Sequence, residues 1–250
     1  MRAIVCIDDT DRANTKPGTG GLAALLKGRI EDQGWGQSDM IVRHQLFVHP
    51  DIPYTSHNSA MSFGVEVADE ENVARIVTFA GSFLARESAE GSDPGLCVVC
   101  LHRLKEPQRL VAFGRRAKVE VLAKEHAYQL AEESDIHLSE HGGTGQGVIG
   151  ALAGVGLRLS GNDGRVRGKH AITAPENAAS VEEILRQTRI DLVQTLDGEV
   201  LNGRALVKLG EKVKSVYLDG RSVLLVRRPE DGTAAAQWEI CSMEYLKKHY

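Results

Sequence analysis

The first seven residues, MRAIVCI, are apolar at nearly every position, the pattern of a strand covered on both faces. From Gly20 the period changes, and Leu22, Leu25, Leu26 and Ile30 fall on one face of a helix. MIVRHQLFV (40–48) reads as a second strand, and SAMSFGVEV (59–67) alternates like a third. Between them, HPDIPYTSHN is a polar loop whose two prolines restrict the backbone. Val73, Ile76, Val77, Ala80, Phe83 and Leu84 mark the next helix, and GLCVVCL (95–101) a fourth strand. This alternation predicts an α/β domain over residues 1–106.

The stretch 107–134 is helical in pattern and leads to a second unit, expected over 107–193. That unit has a strand near IHLSEH, a helix from GQGVIGALAGVG, and short strands around GLRLSG and GRVRGK. Ser180 and Glu183 have capping-box spacing, so a further helix starts there. From 194 to 250, DG and NG pairs separate short β-type runs (LVKLG, SVYL, VLLVRR), the signature of antiparallel hairpins in a small β-rich appendix. The fold class is therefore mixed α/β with a β-rich end.

Composition narrows the function classes. The 250 residues carry 34 acidic and 30 basic side chains, a net charge of −4 that gives no general attraction for nucleic acid. No apolar run is long enough to span a bilayer, and the apolar start is too short for a signal peptide before acids follow. The expectation is a cytoplasmic protein without a membrane partner, which argues against an exported solute-binding protein. Cys97 and Cys100 form a CxxC inside a strand, where the two side chains point to opposite faces. With no second paired ligand set nearby, they read as core cysteines.

The candidate chemistry lies in CIDDTDRANTKPGTGG (6–21). Asp8, Asp9 and Asp11 stand at the end of the first strand, where ligands bind in open α/β sheets. Adjacent carboxylates repel, and Mg²⁺ offsets that cost while keeping waters and phosphates in its shell. Gly18, Thr19, Gly20 and Gly21 open the following helix, whose N–H groups and dipole suit phosphate. An acidic surface turn with a glycine helix entry is the competing reading of the same residues.

IDDTD at the strand end, VHPDIPYTSHNSA, SDPGLCVV and GTGQGVIGALAGVG together resemble the archaeal tRNA-isoleucine agmatidine synthetases, in that family's order over about residues 2–170. The resemblance implies an ATP-dependent kinase-type domain and a ferredoxin-like domain, followed by an OB-fold and a zinc ribbon that hold tRNA. It also implies phosphorylation of the wobble cytidine's carbonyl oxygen and displacement of the phosphate by agmatine. On this resemblance Asp8, Asp9 and Asp11 handle Mg²⁺ and ATP. Pro50, Ile52, Pro53, Tyr54 and Asn58 match the family's proline loop, and His57 sits where the family carries a basic group near substrate. The chain departs at GTGGLAAL, where the family has paired threonines; Thr19 is offset by a few positions. It departs again at Thr55, Ser56, His57, Asn58 and Ser59, which lack Lys or Arg. Nothing after residue 170 has the spacing of a zinc ribbon.

Other features carry less. Gly145, Gly147 and Gly150 spell GxGxxG, but HLSEHGG is a poor preceding strand for a dinucleotide fold; an anion site at this helix start competes with close packing there. His44 and His49 on or beside the proline loop read as solvated or hydrogen-bonded, and Arg43 as an ion-pair or phosphate partner. The basic runs around Arg109–Lys118 and Arg165–Lys169 read as solvated faces, because acidic residues surround them. The reading is an ATP- and Mg²⁺-dependent enzyme that activates a carbonyl or amide-like oxygen of an unidentified acceptor, small molecules included. Asp8, Asp9 and Asp11 are its metal ligands and, with His57, its catalytic groups; Gly18, Thr19, Gly20, Gly21 and Asn58 hold the nucleotide. The alternatives are tRNA-isoleucine modification itself and a non-catalytic nucleotide- or RNA-binding module.

Overall fold

The computed structural model describes residues 1–12, 15–52, 58–229 and 236–250. Pro53, Tyr54, Thr55, Ser56 and His57 lie outside the described residues. The chain divides into two compact units, Met1–Ser160 and Gly161–Tyr250.

The first unit runs β1 (Arg2–Asp8), α1 (Thr19–Asp32), β2 (Gln37–Ser38), β3 (Val42–Gln45), β4 (Ser59–Glu66), α2 (Glu70–Glu87) and β5 (Gly95–Cys100). It continues with α3 (Pro107–Arg116), α4 (Lys124–Glu133), β6 (His137–Glu140) and α5 (Gly147–Leu159). Its strands lie in the order β6-β5-β1-β4-β3, each antiparallel to its neighbour. The β1-α1-β3-β4-α2-β5 portion is a split βαβ, ferredoxin-like arrangement. It occupies residues 2–100. The mixed α/β class holds.

The apolar run of β1 is explained by its central place. Val5 and Ile7 face α1 and α2 with Leu22, Leu26, Phe63 and Leu84, whereas Ile4 and Cys6 face α3, α4 and α5. Phe63, Ile7, Leu22 and Leu26 are fully buried, each stabilising by about 1.5–3 kcal/mol relative to exposure. Residues 107–160 complete the second helical layer, so no boundary falls at 106/107. The long helical stretch is two helices. The intervening segment 117–123 leaves the helix, and Ala117 O accepts the N–H of Phe47 at 3.0 Å. GLRLSG, expected as a strand, is the end of α5 and the turn after it. Almost every side of α5 is buried, so its sequence is apolar all round and carries no amphipathic period to mark its length.

Glycine in the helices tests this packing in one direction. Gly28, inside α1, has nothing within 4 Å of where a β-carbon would stand. Gly28→Ala should therefore stabilise the protein by about 0.5–1 kcal/mol, read as a higher urea midpoint at unchanged slope.

The second unit comprises β7 (Arg165–Val166), a 3₁₀ turn at Pro175–Asn177, β8 (Ala178–Ser180), α6 (Val181–Gln187), β9 (Leu192–Thr195), β10 (Leu206–Lys208), β11 (Val216–Leu218), β12 (Arg221–Arg227), β13 (Trp238–Ile240) and α7 (Met243–His249). Ser180 caps α6, its hydroxyl accepting the Glu183 N–H, as the spacing implied. Asp219 and Gly220, both at positive φ, turn β11 into β12 as an antiparallel hairpin. The other pairings are not successive hairpins. β9 runs parallel to β12, and β10 runs parallel to β13. Val193, Val207, Leu224 and Val226 join Ile184 of α6 in one core, so residue 193 lies inside this unit rather than at its edge. Among the described residues no helix is long and apolar enough to cross a membrane.

Candidate active site

A cavity of about 290 Å³ opens at the end of the first unit's sheet. β1 delivers Asp8 there, and Asp9 turns the chain away with a left-handed φ of 48°, a conformation that Asp tolerates better than most residues. Asp11 follows, and the chain returns through Gly18 into α1.

Two helix starts face this cavity. Gly18 leads α1 and no side chain caps it. Its own carbonyl accepts from Gly21 N at 2.7 Å and Leu22 N at 3.1 Å, and a β-carbon at Gly18 would lie 2.9 Å from Asp11 Oδ2. Thr19 Oγ1 donates to Asp11 Oδ1 at 2.8 Å and accepts from Thr10 Oγ1 at 3.1 Å, which orients the Asp11 carboxylate. On the other face of the sheet, α5 begins at the cavity with Gln146 and Gly147, also without a side-chain cap. The preceding loop is held by Asp93, whose Oδ1 accepts from the backbone N–H groups of Thr144 and Gly145. Gly147 lets the helix approach β5, since a β-carbon would stand 2.0 Å from Asp93 O. At Gly150 a β-carbon would stand 1.7 Å from Asp8 Oδ2, so the Asp8 carboxylate occupies the space that a side chain would take.

Burial and mutual repulsion dominate the electrostatics. Asp8 is raised to about 8 by desolvation, with Asp9 and Asp11 adding repulsion and a backbone hydrogen bond from Asp9 opposing them. Asp9 is raised to about 6 by burial, Asp93 and Asp11, partly offset by Arg12. Carboxylates held against ionisation by burial and by one another are chemically suited to receive a cation. Among the described residues no three acid, imidazole or thiol groups close on one metal position. Asp8, Asp9 and Asp11 are the cavity groups that could hold a cation.

The sequence-derived candidates Asp8, Asp9, Asp11, Gly18, Thr19, Gly20, Gly21 and Asn58 all line this one cavity. His57 lies outside the described residues. The Asn58 amide is engaged locally, its Nδ2 donating to Phe47 O at 2.7 Å. His44 is fully buried and bonded to Ser62 Oγ at 2.7 Å, a core position. Reading along the sequence missed the wall of Leu46, Ala117, Val121 and Leu122, and gave no part to Glu120 or Asp93. None of these stands beside the acids in sequence, and the segment 117–122 carries no motif.

The fold and site define a mixed α/β protein with an acidic cavity bordered by two glycine-rich helix starts. No family model matches the chain, and no relative is found among curated proteins. Among solved structures, the chain is similar to the tRNA agmatidine synthetase TiaS in complex with an isoleucine tRNA and ATP. Identity is 32%, over 62% of this chain and 36% of that one, with a TM-score of 0.54. It is similar also to a TiaS complex with the isoleucine tRNA, AMPCPP and agmatine, at 25% identity over 82% and 50% of the two chains and a TM-score of 0.52. A tRNA fluorescent labeling enzyme matches at 29% identity over 73% and 42%, with a TM-score of 0.52. The chain spans between 36% and 50% of the length of these three proteins.

Proposed function

We propose that this protein uses Mg·ATP to phosphorylate a carbonyl or amide-like oxygen, in the manner of an agmatidine synthetase. The observation that carries the reading is the convergence of Asp8, Asp9 and Asp11 with the uncapped start of α1 on one cavity. Asp8 and Asp9 would hold Mg²⁺, and Asp11, oriented by Thr19, stands beside them. The metal, when bound, offsets phosphate charge in the bond being broken. Backbone N–H groups of Gly18, Thr19 and Gly20 receive phosphate oxygens, helped by the helix dipole. The apolar wall of Leu46, Ala117, Val121 and Leu122 excludes water, which would otherwise compete as phosphate acceptor. A nucleobase carbonyl in RNA is favoured over a free small molecule as acceptor, because the similar solved structures are named as tRNA complexes or a tRNA labeling enzyme.

Calorimetric titration with Mg·ATP tests the reading. The wild-type protein is expected to bind, and Asp8→Asn or Asp9→Asn to weaken binding at least about tenfold, the loss of one charged contact. Because Asp8 holds its proton up to about pH 8, binding at pH 7 should also release protons, seen as a heat that varies with the buffer's ionisation enthalpy. No binding by the wild type, or equal affinity in both variants, overturns the proposal.

A further inference from the structure

The cavity is charged unevenly. Among its described lining residues, Asp8, Asp9, Asp11, Asp51 and Glu120 are acidic and Arg43 is the one cation. Arg43 sits on β3 directly opposite Met61, which in turn lies opposite Ile7 of β1. Residues opposite one another across strands share a face, and Met61 and Ile7 belong to the core beneath α1 and α2. Arg43 therefore stands on the α1 side of the sheet, with Gly18 and Thr19, while Asp8, one residue beyond Ile7, faces α5. The Arg43 Nε donates to Ser59 Oγ at 3.0 Å, which holds the half-buried guanidinium at the cavity and leaves its terminal nitrogens for another acceptor. Asp11 is the charged group facing it, and burial pulls the guanidinium below its usual range, so an anion there gains from being its partner.

The α5 side of the cavity, where Asp8 lies, carries apolar side chains. Leu46, Ala117 and Leu122 belong to the core beneath α5, and Ile149 packs against it.

We infer that Arg43 binds the terminal phosphate of the nucleotide and offsets the charge that develops on it during transfer. The inference rests on the Mg·ATP reading above and adds the residue that recognises the nucleotide's third phosphate. A guanidinium suits this role because its planar fork pairs with two phosphate oxygens at once.

Calorimetry with Mg·ATP and Mg·ADP on the wild type, Arg43→Gln and Arg43→Lys tests it. Arg43→Gln is expected to lose about 30-fold in Mg·ATP affinity, the worth of a charge-assisted contact, and less than about threefold in Mg·ADP affinity. The ATP-over-ADP preference then collapses, and Arg43→Lys retains part of it because charge survives without the fork. Binding of Mg·ADP by the variant is the control for its fold. A wild-type protein that binds neither nucleotide overturns the Mg·ATP reading and this inference with it. Binding by the wild type with an unchanged ATP-to-ADP ratio in Arg43→Gln, including an equal loss of both, overturns the role of Arg43 alone.

Discussion

Gly156→Ala is expected to lower the unfolding free energy by about 3 kcal/mol, the upper range for overpacking a core. α5 crosses α3 so closely here that a β-carbon on Gly156 would stand 1.9 Å from Leu110 O. From the other side, a β-carbon on Gly114 of α3 would stand 2.7 Å from Ala153 O. Both obstacles are backbone atoms of helices, which cannot rotate aside as a side chain can, so the helices must separate. Separation would open the core around Leu110, Leu152 and Leu157, all essentially buried. It would also draw α5 from the sheet end where Gly150 accommodates the Asp8 carboxylate. Chemical denaturation would show the loss as a lower midpoint. A midpoint equal to wild type would mean that the helix crossing is looser than these distances indicate. Gly28→Ala, the same change on a helix face with open space, should move stability the other way.

Asp8→Asn is expected to stabilise the protein in the absence of nucleotide, and to do so more strongly as pH rises. An aspartate raised from 3.8 in the unfolded chain to about 8 in the native one binds more protons when folded across that window. The unfolding free energy of the wild type therefore falls as pH climbs from about 4 to 8. Asparagine does not titrate, so its advantage is on the order of 3–5 kcal/mol at pH 8 and under about 2 kcal/mol at pH 5. Asp9, raised to about 6, contributes a smaller loss with the same sign, confined to the acid side of neutrality. Melting temperatures of wild type and Asp8→Asn at pH 5 and 8 measure the difference directly. A gap that stays constant with pH would show that Asp8 titrates normally in the folded protein.

The first unit was legible in outline because its outer helices and central strands bury residues with clear periods. Leu22, Leu26 and Ile30 repeat as a helix face, and β1 is apolar on both sides because two helical layers cover it. The acids and the glycine helix start were legible as well, since Asp8 and Gly21 lie thirteen positions apart and local chemistry alone brings them near. α5 was harder. A helix buried on nearly every side has no polar face, and its glycines serve Asp8, Cys6 and Leu110, three partners remote in sequence. The Gly145, Gly147 and Gly150 spacing resembled a dinucleotide fingerprint, whereas in the fold it provides a turn at positive φ and two close approaches. Arg43 was ambiguous for a related reason: one residue on a strand says nothing about whether it faces a carboxylate, a cavity or solvent.

Local periodicity and adjacency thus determined the α/β class, the strand that carries Asp8, and the joining of three carboxylates to a glycine-led helix. Tertiary structure alone decided the antiparallel order of the strands, the boundary at residue 160, and the second helix start and apolar wall that complete the cavity. The physical reason is the range of the interactions. Helix faces and acidic turns are set by neighbours a few residues apart, whereas strand order and cavity walls depend on which distant surfaces bury one another. The Asp8 carboxylate shows the difference: it and the repelling Asp9 and Asp11 are written in the chain, but the burial that does most to resist its ionisation comes from the fold around it.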